Sequence, residues 1–146
     1  MDELGYNAPP SDANGGGSVR ETAERKKQHL HLIEHNGHRV LLIDHSHARA
    51  AEVEADVKEI QQYVTSQPLN SVLTLADWTD VEITKPVLTA VKKVAAYDRP
   101  YVRRSAIVAS AKSRDAIKAL EMFSARNFGV FETRDQALRW LTADES

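Results

Sequence analysis

All six histidines of this chain fall between positions 29 and 47. Histidine ligates metals and moves protons near neutral pH, so the cluster is the first candidate for chemistry. A tetrahedral metal site needs donors converging about 2 Å from one ion. The spacing works against that. His29 and His31 share one face of a strand, and an Asn36-Gly37 turn sets His35 beside His38. His45 and His47 stand a full strand length from that turn. At most two or three of the six can converge. The expectation is exposed strand and turn histidines, with no metal site and no cofactor.

Three polar segments close apolar runs: Asp44-His45-Ser46-His47, Asp77-Trp78-Thr79-Asp80 and Ser110-Ala111-Lys112-Ser113. In an open parallel sheet such strand ends share one rim, where ligands gather. Lys112 and Ser113 at a helix start suit an anion. The plainer reading has Ser110 or Ser113 capping a helix, Asp44 and Asp77 capping turns, and Lys112 in water. Trp78 either covers the top of the sheet or forms a pocket wall or partner-facing anchor. Asp77 with His45 or His47 would make an acid–base pair, but no activated nucleophile accompanies them. There is no glycine-rich phosphate loop and no nucleophile elbow, so no enzymatic activity is expected.

The elements that must position these residues follow from periodicity. Asn36-Gly37 separates Leu30-His31-Leu32-Ile33 from Val40-Leu41-Leu42-Ile43, the pattern of a two-residue type I′ hairpin. That turn pairs His35 with His38, Glu34 with Arg39, Leu32 with Leu41 and Leu30 with Ile43, which sends Leu30, Leu32, Leu41 and Ile43 to the core. Ala50, Val53, Val57, Ile60 and Val64 recur at helical steps and stop before Pro68. Residues 71–76 form a strand. Val87, Leu88, Val91, Val94 and Ala95 form a helix with Pro86 in its first turn. Residues 101–109 form another strand. Ile117, Leu120, Phe123 and Ser124 mark a third helix ending near Asn127-Phe128-Gly129. After a short strand at 130–132, Thr133-Arg134-Asp135-Gln136 is a capping box for a last helix that buries Ala137, Leu138 and Leu141. Trp140 is expected at the core edge. Strands alternating with single helices require parallel crossovers. The fold class is therefore α/β: a mostly parallel sheet with an N-terminal antiparallel hairpin at its edge and four helices.

Composition agrees. The chain has 146 residues, 42% hydrophobic and 27% charged, with a formal charge of -2. This is one domain's worth, and no nucleic-acid partner is expected. The absence of cysteine excludes disulfides, thiol nucleophiles and thiolate metal sites. No apolar run approaches the ~20 residues of a membrane helix, and Met1-Asp2-Glu3 starts no basic-then-apolar leader, so a cytoplasmic location is expected. Four of the six glycines and two of the five prolines lie in residues 1–17. Residues 1–28 are expected to be a flexible tail, with a frayed helix at 18–28, and residues 29–143 the folded domain.

Val40-Leu41-Leu42-Ile43-Asp44, Asn70 to Asp77, Ala106-Ile107-Val108-Ala109, and Phe123 to Thr133 running on to Ala137-Leu138-Arg139-Trp140-Leu141 resemble the STAS superfamily. This is the domain of sulfate transporters and anti-sigma-factor antagonists. More narrowly, the segments resemble the small bacterial STAS-like proteins whose fold is likened to CRAL-TRIO lipid carriers. The resemblance covers roughly residues 29–142 and implies a non-enzymatic regulatory module acting through protein–protein contact. Its site would be Asp77, Trp78, Thr79 and Thr84, with Lys112 and Ser113 on the same rim. Anti-sigma-factor antagonists are phosphorylated on a serine at the start of the helix after the second core strand. The corresponding stretch, Asp77 to Thr84, lacks their Asp-Ser-Ser-Gly pattern, and Thr79 and Thr84 are its only hydroxyls. Thr84 before Lys85-Pro86 is an ordinary N-cap, and no regulatory phosphorylation is expected. The CRAL-TRIO likeness and the Ala/Val-rich second helix point to an alternative, a carrier or sensor of an apolar or amphipathic, lipid-like ligand. A carrier of that kind calls for an enclosed pocket of about 300 Å³ or more, and full packing is the expectation for a domain of this length.

Overall fold

A computed structural model describes residues 28–143. The expected tail therefore lies, up to residue 27, outside the described residues. Strands β1 (Leu30–His35), β2 (His38–Asp44), β3 (Val72–Asp77), β4 (Val102–Val108) and β5 (Gly129–Phe131) form one sheet in the order β1-β2-β3-β4-β5. Helices α1 (Ala50–Thr65), α2 (Lys85–Asp98), α3 (Arg114–Ser124) and α4 (Arg134–Leu141) alternate with them after the hairpin. β1 runs antiparallel to β2, and every other pairing is parallel. The fold is the mixed α/β sheet that the periodicity implies.

The hairpin has the register expected of its turn, residue for residue from Leu30↔Ile43 to His35↔His38. Asn36 and Gly37 both take positive φ, 52° and 78°, as a type I′ turn demands. Each later crossover advances one strand in the same direction. With right-handed connections this leaves all three crossover helices on one face, where α1 packs on α2 and α2 on α3. Among the described residues only α4, which follows the last strand, is free to close the other face.

Strand parity then sorts the core into two layers. Val40, Leu42, Leu73, Leu75, Ala106 and Val108 meet Ala137 and Leu141 of α4. Leu41, Ile43, Val72 and Ile107 point the opposite way, under α1, α2 and α3. Burial on both faces explains why the central strands read as unbroken apolar runs.

Local signals set the helix ends. The Thr84 hydroxyl accepts a hydrogen bond from the Val87 N–H at the start of α2. Thr133 and Gln136 form the reciprocal capping box of α4. Two expectations fail at the edges. Leu32 is 51% exposed, because β1 is the outer strand and only Leu30 of that face reaches the cluster beneath α1. Phe123 is 56% exposed, off the buried stripe of Ile117, Leu120 and Ser124, and α3 stops at Ser124, three residues early. Ala125 there adopts the left-handed conformation, with φ 57°.

Candidate functional site

Asp44 and Asp77 are register partners at the carboxyl ends of β2 and β3. Parity directs both carboxylates to the α4 face, where Arg134 in the first turn of α4 lies between them. Its Nε donates to Asp77 Oδ2 at 2.7 Å, and its Nη2 is 3.0 Å from Asp44 Oδ1. Asp77 Oδ1 accepts from the Thr79 N–H at 2.9 Å and the Thr79 hydroxyl at 2.7 Å. Asp44 Oδ1 holds Ser46 in the same way. Burial alone would raise the Asp77 pKa, but the bonds from Thr79 and Arg134 outweigh it and hold the carboxyl below its usual range. Burial would likewise lower Arg134, and the two aspartates raise it instead. The clamp is closed and its groups are paired. Arg134 escaped the sequence reading, though a cation in a helix's first turn opposes the dipole and signals nearby acids.

The six expected rim residues therefore separate. Asp77 and Thr79 bond to each other. Trp78, one residue on, turns to the three-helix face, is 4% exposed, and packs with Ile107, Ile117 and Leu120. It is a cover and an inner wall, with no surface for a partner. Thr84, Lys112 and Ser113 do meet, along a shallow surface groove between the starts of α2 and α3. Ser110 rather than Ser113 supplies the local cap, accepting from the Lys112 N–H. No Asp77–histidine dyad forms, since His45 bonds Asp56 and His47 stands 3.3 Å from Asp80.

The three-helix face is not filled. Thr74 and Ser105 are register partners on β3 and β4, and Ala76 follows on the same face. Val91, Val94 and Ala95 of α2 lie above them, and small residues against small residues leave a cavity of about 80 Å³. It runs from His45 and Trp78 at the carboxyl ends of the strands to Val102, Asp98 and Arg126 at the other end. Its walls are mostly apolar, with polar groups at the ends.

The lower polar end is unusual. Thr74 Oγ1 and Ser105 Oγ share a 2.6 Å hydrogen bond. Arg126 donates to Ser105 Oγ and to the Ala95 carbonyl, and its guanidinium lies 4.8 Å over the Phe128 ring. Asp98 is 4% exposed, and its Oδ1 is buried without a hydrogen-bond partner. Burial pushes its carboxyl up to about 7 against the pull of Arg126. Burial lowers Arg126 to about 10 against the pull of Asp98. Thr74 and Ser105 were legible as hydroxyls inside apolar strands. Asp98 is the last residue of α2 and continues the buried stripe of Val87 and Val94, so the helical period points it inward. Arg126 was not legible, because it lies beyond the end of α3 at Ser124, where periodicity carries no signal.

At the upper end, His29 and His45 are both buried and both bond Asp56 Oδ2, at 2.5 and 2.8 Å. This corrects the expectation of exposed histidines for these two, while His31 and His47 are exposed and His35 and His38 half-buried. An antiparallel hairpin brings the start of β1 beside the end of β2, so residues far from the turn on both strands are neighbours. Burial lowers the His45 pKa, and the Asp56 carboxylate opposes the shift.

No family model matches the chain, and no curated protein or solved structure matches it.

Proposed function

We propose that this chain is a non-enzymatic, STAS-like binding module that takes a compact amphipathic ligand in the cavity beneath α2. The observation that carries this reading is Asp98, a buried carboxyl with an unpartnered oxygen lining a mostly apolar cavity beside the half-buried Arg126. Leaving such a group unpaired costs about 1–3 kcal/mol, which a bound polar head would recover. A ligand carboxylate suits the end best, with charge from Arg126 and a hydrogen bond from the protonated Asp98. The remaining walls suit a thin apolar body. At about 80 Å³ the cavity is far below the ~300 Å³ of drug-sized pockets. The ligand is thus shorter than a lipid, unless α2 lifts from the sheet.

The test is a thermal-shift series with straight-chain carboxylates, paired with native mass spectrometry of the purified chain. Short acids should raise the melting temperature in wild type and not in Arg126→Met. A clean apo mass and no shift with any acid would sink the reading and leave the cavity to water.

Contact with a protein is the second reading. It rests on the groove that joins Thr84, Lys112 and Ser113 beside Val81 and Leu88. Lys112→Glu should then reduce partner recovery in a pull-down without moving the melting temperature. Unchanged recovery would discard that surface. Among the described residues no helix is long and apolar enough to cross a membrane.

A further inference from the structure

We propose that His29, His45 and Asp56 form a divalent transition-metal site, best suited to zinc, with Glu52 as the outer partner of His29. The site does not depend on the ligand proposed above.

Three donor atoms converge: Nδ1 of His29, Nε2 of His45 and Oδ2 of Asp56, all within 4.8 Å of one another. Donors bound tetrahedrally at about 2.0–2.1 Å stand about 3.3 Å apart. Seating an ion there takes opening the 2.5 and 2.8 Å contacts to Asp56 by less than about 1 Å and bringing the two nitrogens, now within 4.8 Å, to a like separation. The two rings stand edge to face, 84° apart with centroids at 5.4 Å, so their nitrogens point at one place without stacking. Three elements deliver the set. The hairpin register brings His29 to the end of β2, where its carbonyl accepts from the Asp44 N–H at 2.7 Å. α1 lays Asp56 across them, and Glu52 sits one turn earlier on the same helical face.

Glu52 stands behind His29, its Oε2 3.9 Å from the ring's Nε2. With a metal on Nδ1, the ring would carry its proton on Nε2, facing Glu52, whose other oxygen accepts from the Arg49 N–H. That is the carboxylate–histidine–metal relay of natural sites. Two imidazoles and one carboxylate suit zinc, and also cobalt, iron and nickel. They leave a fourth position for water or a small ligand. Of the three, His45 also lines the cavity, at its upper end.

The test uses the full chain, stripped with chelator and titrated with Zn²⁺ by calorimetry, with Co²⁺ as the spectroscopic probe. One equivalent should bind, with an intense tetrahedral cobalt spectrum and a higher melting temperature. Asp56→Asn and His29→Gln should abolish the saturable binding. Glu52→Gln should weaken it about tenfold to a hundredfold. His31→Gln and His47→Gln should leave it unchanged. Absence of a one-to-one phase, or binding that survives Asp56→Asn and falls with His31→Gln or His47→Gln, would overturn the site. Should Asp56→Asn fail to fold, the wild-type cobalt spectrum decides, and a weak octahedral spectrum counts against the proposal.

Discussion

Two aspartate–arginine couples lie on opposite sides of the same sheet, and they have opposite character. On the α4 face, Asp77 receives Arg134 directly and Thr79 twice, and its carboxyl is held below the usual range. On the three-helix face, Asp98 has an unpartnered oxygen and is pushed up to about 7, while Arg126 bonds a carbonyl and a hydroxyl instead. Both aspartates are almost inaccessible. Burial therefore does not set the difference; hydrogen bonding does. The first couple does structural work: it ties α4 to the ends of β2 and β3. The second lines a cavity and makes the fold less stable than an apolar pair there would. A group retained at that cost is where a binding function is to be sought.

The contrast can be broken most severely at the cavity roof. Trp78→Ala should cost about 3–5 kcal/mol in denaturant unfolding, since it removes a buried indole and enlarges the cavity. A loss below about 1 kcal/mol would mean that Trp78 is not part of the packed layer. Arg134→Met comes next. It removes the cation that Asp44 and Asp77 share, and because the arginine is partly exposed the expected loss is about 2–3 kcal/mol rather than the full cost of breaking a buried pair. Equal stability for variant and wild type would mean that the clamp contributes nothing.

Asp98→Asn should act in the other direction and sharpen the contrast. The Asp98 carboxyl titrates at about 7 when folded and near 3.9 when unfolded. Between those values the folded state holds the extra proton, so this group's contribution to stability falls as pH rises from about 4 through about 7. The variant lacks this loss. Its advantage over wild type should be smallest near pH 4 and grow to at most about 4 kcal/mol by pH 8, read from unfolding curves across that range. A constant difference would refute the raised pKa. The smallest effect is expected at Ala125, whose left-handed backbone introduces Arg126. Ala125→Gly should add about 0.5–1 kcal/mol and leave carboxylate-induced shifts intact.

Much of the scaffold was open to reading. Asn36-Gly37 dictated a turn type, the turn dictated the register, and the register placed every hairpin pair correctly. Thr84 as the α2 cap followed from the residues around it. Asp44 and Asp77 were read as turn caps, and they are. The candidate sites were less open. Asp77 and Trp78 are adjacent on one strand end, so parity must put them on opposite faces, and a rim site containing both was self-contradictory. Distance from the turn separates His45 from His35 and His38, but it does not separate it from His29, because an antiparallel pair makes the two far ends neighbours.

Local chemistry alone therefore decided the element order, the hairpin register, the helix caps and the fold class, because each depends on side-chain period or on bonds within a few residues. Tertiary structure decided what fills the space between layers. Whether Val91, Val94 and Ala95 close on Thr74, Ala76 and Ser105 depends on summed side-chain volumes across two strands and a helix. Whether Arg126 lies beside Asp98, or Asp56 bridges two histidines, depends on positions separated by 11 to 28 residues along the chain. No local period records such distances, and the polar groups that give this protein its candidate sites are held by them.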